Sequence, residues 1–327
     1  MTRLLISKKI GILCLAFMLA IALITCSKDE PTEPDKSVPH EGRWGIYALD
    51  LESEATELIF SSENSIANIH INDESDRFVF SMKIGGTQNE NEEICTVDSD
   101  GGSFVQITNN NQWDLYPCWS PDGTEIAFLT WRDDDLDIYV MDADGGNVDS
   151  LYDSGSHDAD IDWVGDTIVF TAFSQIWRMN SDGSQPTQLT DPPNAGQWGD
   201  TNLPFGDYDP RLSPDGSQIV FERLEDDVSV HGNYNLFIIN TDGTGETRLT
   251  DSGYAQGVAR WSNAGDRFIY IVAAINDEGK YDIYMINADG ADVQNITPDY
   301  FPANFLCYSP LFSPDDQTIY FIGEWWE

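Results

Sequence analysis

Residues 117–146 read PCWSPDGTEIAFLTWRDDDLDIYVMDADGG, and this stretch decides the fold. Ser120-Pro121-Asp122-Gly123 is a tight turn by composition. Pro fixes φ, Asp tolerates the bridge region and Gly supplies a positive φ. The runs Glu125 to Leu129 and Asp137 to Met141 are apolar and β-prone, so each is a strand. Asp144-Gly145 then closes a second hairpin turn. Turn, strand, strand, turn is the plan of a small antiparallel sheet.

The plan recurs along the chain. An apolar strand running into Asp-Gly appears as ICTVDSDGG (94–102), IYVMDADGG (138–146), IWRMNSDGS (176–184), LFIINTDGT (236–244) and IYMINADGA (283–291), with a diverged copy from Ile46. Seven residues beyond Gly101, Gly183, Gly243 and Gly290 stands a Thr: Thr108, Thr190, Thr250 and Thr297. The Ser-Pro-Asp-Gly turn recurs as well. Phe128, Phe221, Tyr270 and Phe321 each lie eight residues after Ser120, Ser213, Ser262 and Ser313, and Asn72 to Phe80 and Asp162 to Phe170 keep that offset. Fixed offsets of this kind imply one repeated backbone path. Six copies built only from strands predict an all-β chain, a six-bladed β-propeller. The last copy stops after its second strand, Ile319 to Ile322, while Ile46 to Phe60 supplies only a third and a fourth strand. The two ends therefore complete one blade between them, which removes the open sheet edges that invite aggregation.

On these repeats the chain resembles the TolB-like six-bladed propellers, from about Gly45 to the C-terminus. That resemblance implies the strand order within a blade: innermost strand, Ser-Pro-Asp-Gly turn, second strand, third strand, Asp-Gly turn, outer strand. It also implies a role in protein interaction. The turn Trp163-Val164-Gly165-Asp166 departs from the pattern, as does the first blade.

Ahead of the repeats, Arg3, Lys8 and Lys9 precede the apolar run Ile10 to Ile24, the layout of a signal peptide. Leu23-Ile24-Thr25-Cys26 resembles a bacterial lipobox, which implies cleavage before Cys26 and diacylation of its thiol. Residues 1–26 are thus expected to be a lipoprotein signal peptide, 27–42 a Pro-rich charged tether and 43–327 the propeller. Ser27-Lys28-Asp29-Glu30 resembles the acidic surface-export signal of Bacteroidota lipoproteins. The expected location is the cell envelope, at the outer membrane on its periplasmic side or at the cell surface, with the lipid as the only membrane contact. A net charge of -41 repels phosphate and disfavours nucleic-acid partners. Cys95, Cys118 and Cys307 show no metal-ligand spacing and are read as separate buried thiols, with a disulfide open in an oxidising compartment.

Because strand direction alternates, the Ser-Pro-Asp-Gly and Asp-Gly turns share one face of the propeller. The other, variable connections share the opposite face, where binding is expected. Asp114, Asp158 and Asp207 occupy equivalent positions on three blades, near the predicted channel mouth, with Asp160 and Asp209 two residues further on. The first three are candidates for Ca2+ or another divalent cation, or alternatively an acidic rim that caps backbone N–H groups. Trp131, Trp198, Phe205, Tyr208, Trp325 and Trp326 are candidate stacking surfaces for a sugar or a peptide. Trp119, Trp163 and Trp261 fill a repeated core slot, and Arg211 and Arg260, just before it, are expected to bridge neighbouring blades. Asp142 to Gly145 is better explained by its hairpin than by calcium, since no helices flank it.

No G-x-S-x-G or HExxH motif is present, and no catalytic residue is assigned. The expected function is a monomeric, non-catalytic envelope lipoprotein whose variable-loop face binds an envelope protein or a glycan. The alternative is a metal-assisted polysaccharide-degrading enzyme, lyase or hydrolase, with His157 and His231 as its placeable histidines.

Overall fold

A computed structural model describes residues 36–72, 76–84, 91–132, 134–199, 203–226, 233–252, 254–273 and 281–326. Cys26, the leader, most of the tether and His231 lie outside these residues. The described residues contain no helix and form six sheets of four antiparallel strands. The first five blades run in chain order, inner strand to outer. The sixth joins Phe305–Phe312 and Thr318–Trp325 to Trp44–Asp50 and Thr56–Ser62, so both ends of the repeat region share one sheet, as the repeat count requires.

The repeated side chains have repeated work. In the turns that begin Ser-Pro-Asp, the Ser120, Ser213 and Ser313 hydroxyls donate to Asp122, Asp215 and Asp315 and accept the N–H five residues on, at 2.9, 3.0 and 3.0 Å. The Thr at fixed offset serves the outer edge. Thr108, Thr190, Thr250 and Thr297 accept the N–H of Ile94, Ile176, Leu236 and Ile283 at 2.8–2.9 Å, a donor that the two-residue outer strand is too short to reach. The apolar residues of the second and third strands meet across blade boundaries. The core is therefore a closed ring of six inter-blade clusters, such as Cys118, Leu129 and Ile138 against Ile161, Phe170 and Met179.

A further regularity was not visible in the repeats. Each inner strand carries a β-bulge, marked by a register shift and by one residue in the left-handed region: Asn68, Tyr116, Asp160, Asp209, Val258 and Ser309, with φ of 46–56°. A bulge inserts one unpaired residue and bends the strand. It also breaks the two-residue alternation, so the residues on its two sides do not share one face. Cys95, Cys118 and Cys307 are buried and free.

Candidate functional site in the central channel

Two residues past each bulge stand His70, Cys118, Asp162, Arg211, Arg260 and Leu311. All but Cys118 line a cavity of about 290 Å3 at the channel end that carries the tight turns. Trp119, Trp163 and Trp261 wall it, from the repeated core slot. They do pack between blades as expected. They also present indole to this cavity, a role that sequence position did not reveal.

The charges here are buried and shared. Arg211 donates to the Asp209 carboxylate and, from Nη1, to the carbonyls of Pro210 at 2.7 Å and Asp160 at 3.2 Å. Asp209 also lies 3.6 Å from Arg260, whose Nη1 donates to the Ala259 carbonyl. Asp160 accepts the N–H of Asp209, and Asp162 accepts that of Leu212 at 2.8 Å. The expected bridges between blades are present: Arg211 reaches the third blade from the fourth, and Arg260 reaches the fourth from the fifth. Burial, then the charge of neighbouring Arg211, lowers Arg260 to about 10. Arg260 is the less satisfied of the two guanidiniums, because its nearest carboxylate is shared with Arg211.

Glu222 enters this network from a second strand. Its carboxylate accepts the N–H of Val258 at 3.0 Å, and a Cβ on Gly257 would sit 1.8 Å from Glu222 Oε2. A side chain at Gly257 would therefore displace the Glu222 carboxylate from this position. Burial, then the charges of Asp209 and Asp160, pushes Glu222 well above the ordinary carboxylate range. Burial and the charge of Asp209 raise Asp160 to about 6.

His70, Cys118 and Asp162 bring donor atoms within 4.8 Å of one another. They do not suit a cation. His70 Nδ1 accepts the Trp119 N–H at 3.3 Å, so the ring proton lies on Nε2, the nitrogen 3.7 Å from the Cys118 thiol. Burial and the charges of Arg260 and Arg211 lower His70 to about 3, and burial raises the Cys118 thiol. Two guanidiniums beside the trio also favour an anion.

The acidic candidates divide. Asp114 is buried and accepts from Thr130 at 2.6 Å and Asn110 at 2.6 Å, with Arg132 at 3.4 Å. Asp207 is buried and accepts from Nε and Nη2 of Arg223 at 2.5 and 2.9 Å. Asp158 is buried and accepts the Ser154 N–H at 3.3 Å. Thr130 and Arg223 are the direct cross-strand partners of Asp114 and Asp207, which are held within their own blades, whereas Asp158 stands opposite Ala172, whose side chain offers it no hydrogen bond. Among the described residues they do not gather as a shared cation site, which corrects that expectation. Asp160 and Asp209 stand deeper, in the channel network just described.

The aromatic candidates divide too. Trp131 and Trp198 are exposed, at 39% and 69%, and Trp131 lies against Trp113 and His157, with ring centroids 6.4 and 4.9 Å away. Trp326 is half exposed beneath Arg43. Tyr208 is buried and donates its hydroxyl to the Pro204 carbonyl at 2.6 Å, so it is no stacking surface. Trp325 is spent on closure. It stacks on His40 at 4.1 Å and donates Nε1–H to the Tyr47 hydroxyl at 3.1 Å.

The raised carboxyls predict a pH dependence. A carboxyl held above its unfolded pKa binds its proton more tightly in the native state. Its contribution is complete below about pH 4 and is lost as pH rises through the folded value. Asp160, at about 6, and Asp158, raised to about 7 by burial, place that loss between roughly pH 4 and pH 8. Turn carboxylates such as Asp122 and Asp215 are lowered by their Thr124, Ser213 and Ser217 hydrogen bonds, so their contribution is lost only as pH falls below about 4. Thermal denaturation should give the highest Tm near pH 5 and a lower one at pH 8. A Tm that climbs across that interval contradicts this account.

No family model matches the chain. It is 30% identical over 190 residues to an uncharacterized protein of Agrobacterium fabrum, covering 54% of this chain and 61% of that protein. A TolB homolog of Chlorobium luteolum is 29% identical over 179 residues, covering 53% of this chain and 37% of the relative. The chain thus matches less than two thirds of the length of either relative. Among solved structures, the putative TolB of Agrobacterium tumefaciens superposes with a TM-score of 0.68 at 16% identity, over 88% of this chain and 100% of that one. The fold is that of the TolB-like six-bladed β-propeller.

Proposed function

We propose that this TolB-like six-bladed β-propeller is a non-catalytic binding module of the bacterial cell envelope, and that it takes a carboxylate-bearing segment of a partner protein at the tight-turn end of its channel. One observation carries this reading. In a chain of net charge -41, one buried and one part-buried guanidinium, Arg211 and Arg260, and three indoles converge on one cavity. Desolvated guanidinium is well matched to carboxylate, and flanking indole covers the apolar stem of an acidic side chain. This is the opposite face from the variable loops, whose exposed Trp131, Trp198 and Trp326 remain a second contact surface under the same reading. A polysaccharide-degrading enzyme is less well supported, since among the described residues no gathered ligand group holds two histidines.

The leader and the relatives named TolB support an envelope location. A diacylated Cys26 at the new N-terminus, read by intact mass, is what lipid anchoring requires. Binding at the cavity is tested with a peptide bearing Asp and Glu side chains, followed by tryptophan fluorescence. Arg260→Gln should weaken it about tenfold or more, the loss of one charge-assisted contact, while the amidated Asn/Gln peptide should not bind the parent protein. Equal affinity of the two peptides, or no effect of the substitution, overturns the proposal.

A further inference from the structure

The three equivalent acidic positions differ in one respect. Asp114 faces Thr130 across the sheet and Asp207 faces Arg223, and each is satisfied by that neighbour. Asp158 faces Ala172. Its side chain is fully buried, and Oδ1 has no hydrogen-bond partner. An unpaired buried carboxylate is costly, so something must account for it.

Beside it lie three more carboxyls. Asp135 and Asp137 precede and open the strand Asp137–Asp142, and Asp153 follows the strand Asp149–Tyr152. Oxygens of these three lie within 4.8 Å of one another. Among the described residues, Asp135, Asp153 and Asp158 enter no ion pair with Lys or Arg; the nearby Arg132 is bonded to Asp114 and Thr130 instead. The charges of Asp153 and Asp135 reach Asp158 and add to the burial that raises it. The backbone around the group is tied: Asp158 N–H donates to the Leu136 carbonyl at 2.8 Å, and Leu136 N–H donates to His157 Nδ1 at 3.1 Å.

We propose that Asp135, Asp137 and Asp153, backed by the buried Asp158, form a Ca2+ site at the seam between the second and third blades. The donors are hard oxygens, two on connecting loops and two at strand starts, and this uneven set suits the adaptable coordination of Ca2+ better than the strict octahedron of Mg2+. A bound ion removes the repulsion among the carboxyls and supplies the counter-charge that Ala172 does not. It also fastens the connection that carries Trp131 to the one that carries His157. This site shares only Asp158 with the set read from sequence, and it is independent of the channel cavity.

The test is a calorimetric titration of CaCl2 into the chelator-stripped protein at about 0.15 M KCl, paired with thermal denaturation. Expected is one saturable site with a Kd of about 10⁻⁴–10⁻³ M, the range of extracellular calcium modules, and a Tm that rises with Ca2+. The double variant Asp135→Asn, Asp153→Asn should bind at least about tenfold more weakly. It should fold normally without Ca2+, because losing two repelling charges relieves strain. Asp158→Asn should weaken binding as well and should not lower the Tm in chelator. Mg2+ should fail to compete at equal concentration. Absence of saturable binding, an unchanged titration in the double variant, or equal binding of Mg2+ overturns the proposal; the last two would indicate only screening of an acidic surface.

Discussion

A chain that begins at Leu51, lacking the strand Trp44–Asp50, is expected not to fold into a soluble monomer. That strand is the third of the sixth blade and pairs on one side with Thr318–Trp325, on the other with Thr56–Ser62. Its removal exposes a full strand edge in the middle of a sheet, the geometry that recruits other chains. It also removes Ile46, Tyr47 and Leu49, all buried. At roughly 1.5–3 kcal/mol per buried side chain, their loss consumes most of a native stability of about 5–15 kcal/mol. Tyr47→Ala grades the same effect. The ring packs edge-on against Phe305 and stacked on Phe321, and its hydroxyl accepts from Trp325. The cavity should cost about 3–5 kcal/mol, as for other large aromatic truncations. Size-exclusion chromatography and circular dichroism read the truncation, and urea denaturation reads the point variant. A monomeric truncated chain with an unchanged Tm would show that the ring does not depend on its closing strand.

Arg211→Met should cost about 3–5 kcal/mol, the penalty for removing one partner of a buried ion pair. Arg211 neutralises Asp209 directly, and Asp162 and Asp160 act on it as further charges. Methionine keeps the stem and leaves those carboxyls facing Arg260 alone. The pH dependence separates this from a packing defect. Protonated carboxyls no longer need the guanidinium, so the loss should be smaller near pH 5 than at pH 8. Urea denaturation at the two pH values checks it, and an equal loss at both would assign the effect to packing.

Much of the fold was legible because turns are local. Pro, Asp and Gly in fixed order impose φ values whatever surrounds them, so Ser120 to Gly123 and its copies mark the hairpins directly. The Thr residues were legible as a regularity, though not as a cap for the third strand. The bulges were not legible. Asn68, Tyr116, Asp160, Asp209, Val258 and Ser309 share a left-handed φ and no side-chain chemistry. Without them, counting from the aromatic slot sends Asp114 and Asp207 toward the channel mouth, whereas they turn back to their cross-strand neighbours. Tyr208 and Trp325 are held by partners from distant segments, Ser174 for one and His40 and Tyr47 for the other, so their sequence positions do not show that they are engaged.

By itself, then, the sequence determined the blade, the number of blades and the closure, since each follows from turn chemistry and hydrophobic spacing repeated along the chain. Only the tertiary structure decided which charges share a site. Arg211 and Arg260 are 49 residues apart and Asp135 and Asp158 are 23 apart, yet each pair meets across a blade boundary. Ring closure sets those distances, and a bulge that carries no common side-chain signature decides which way each residue points.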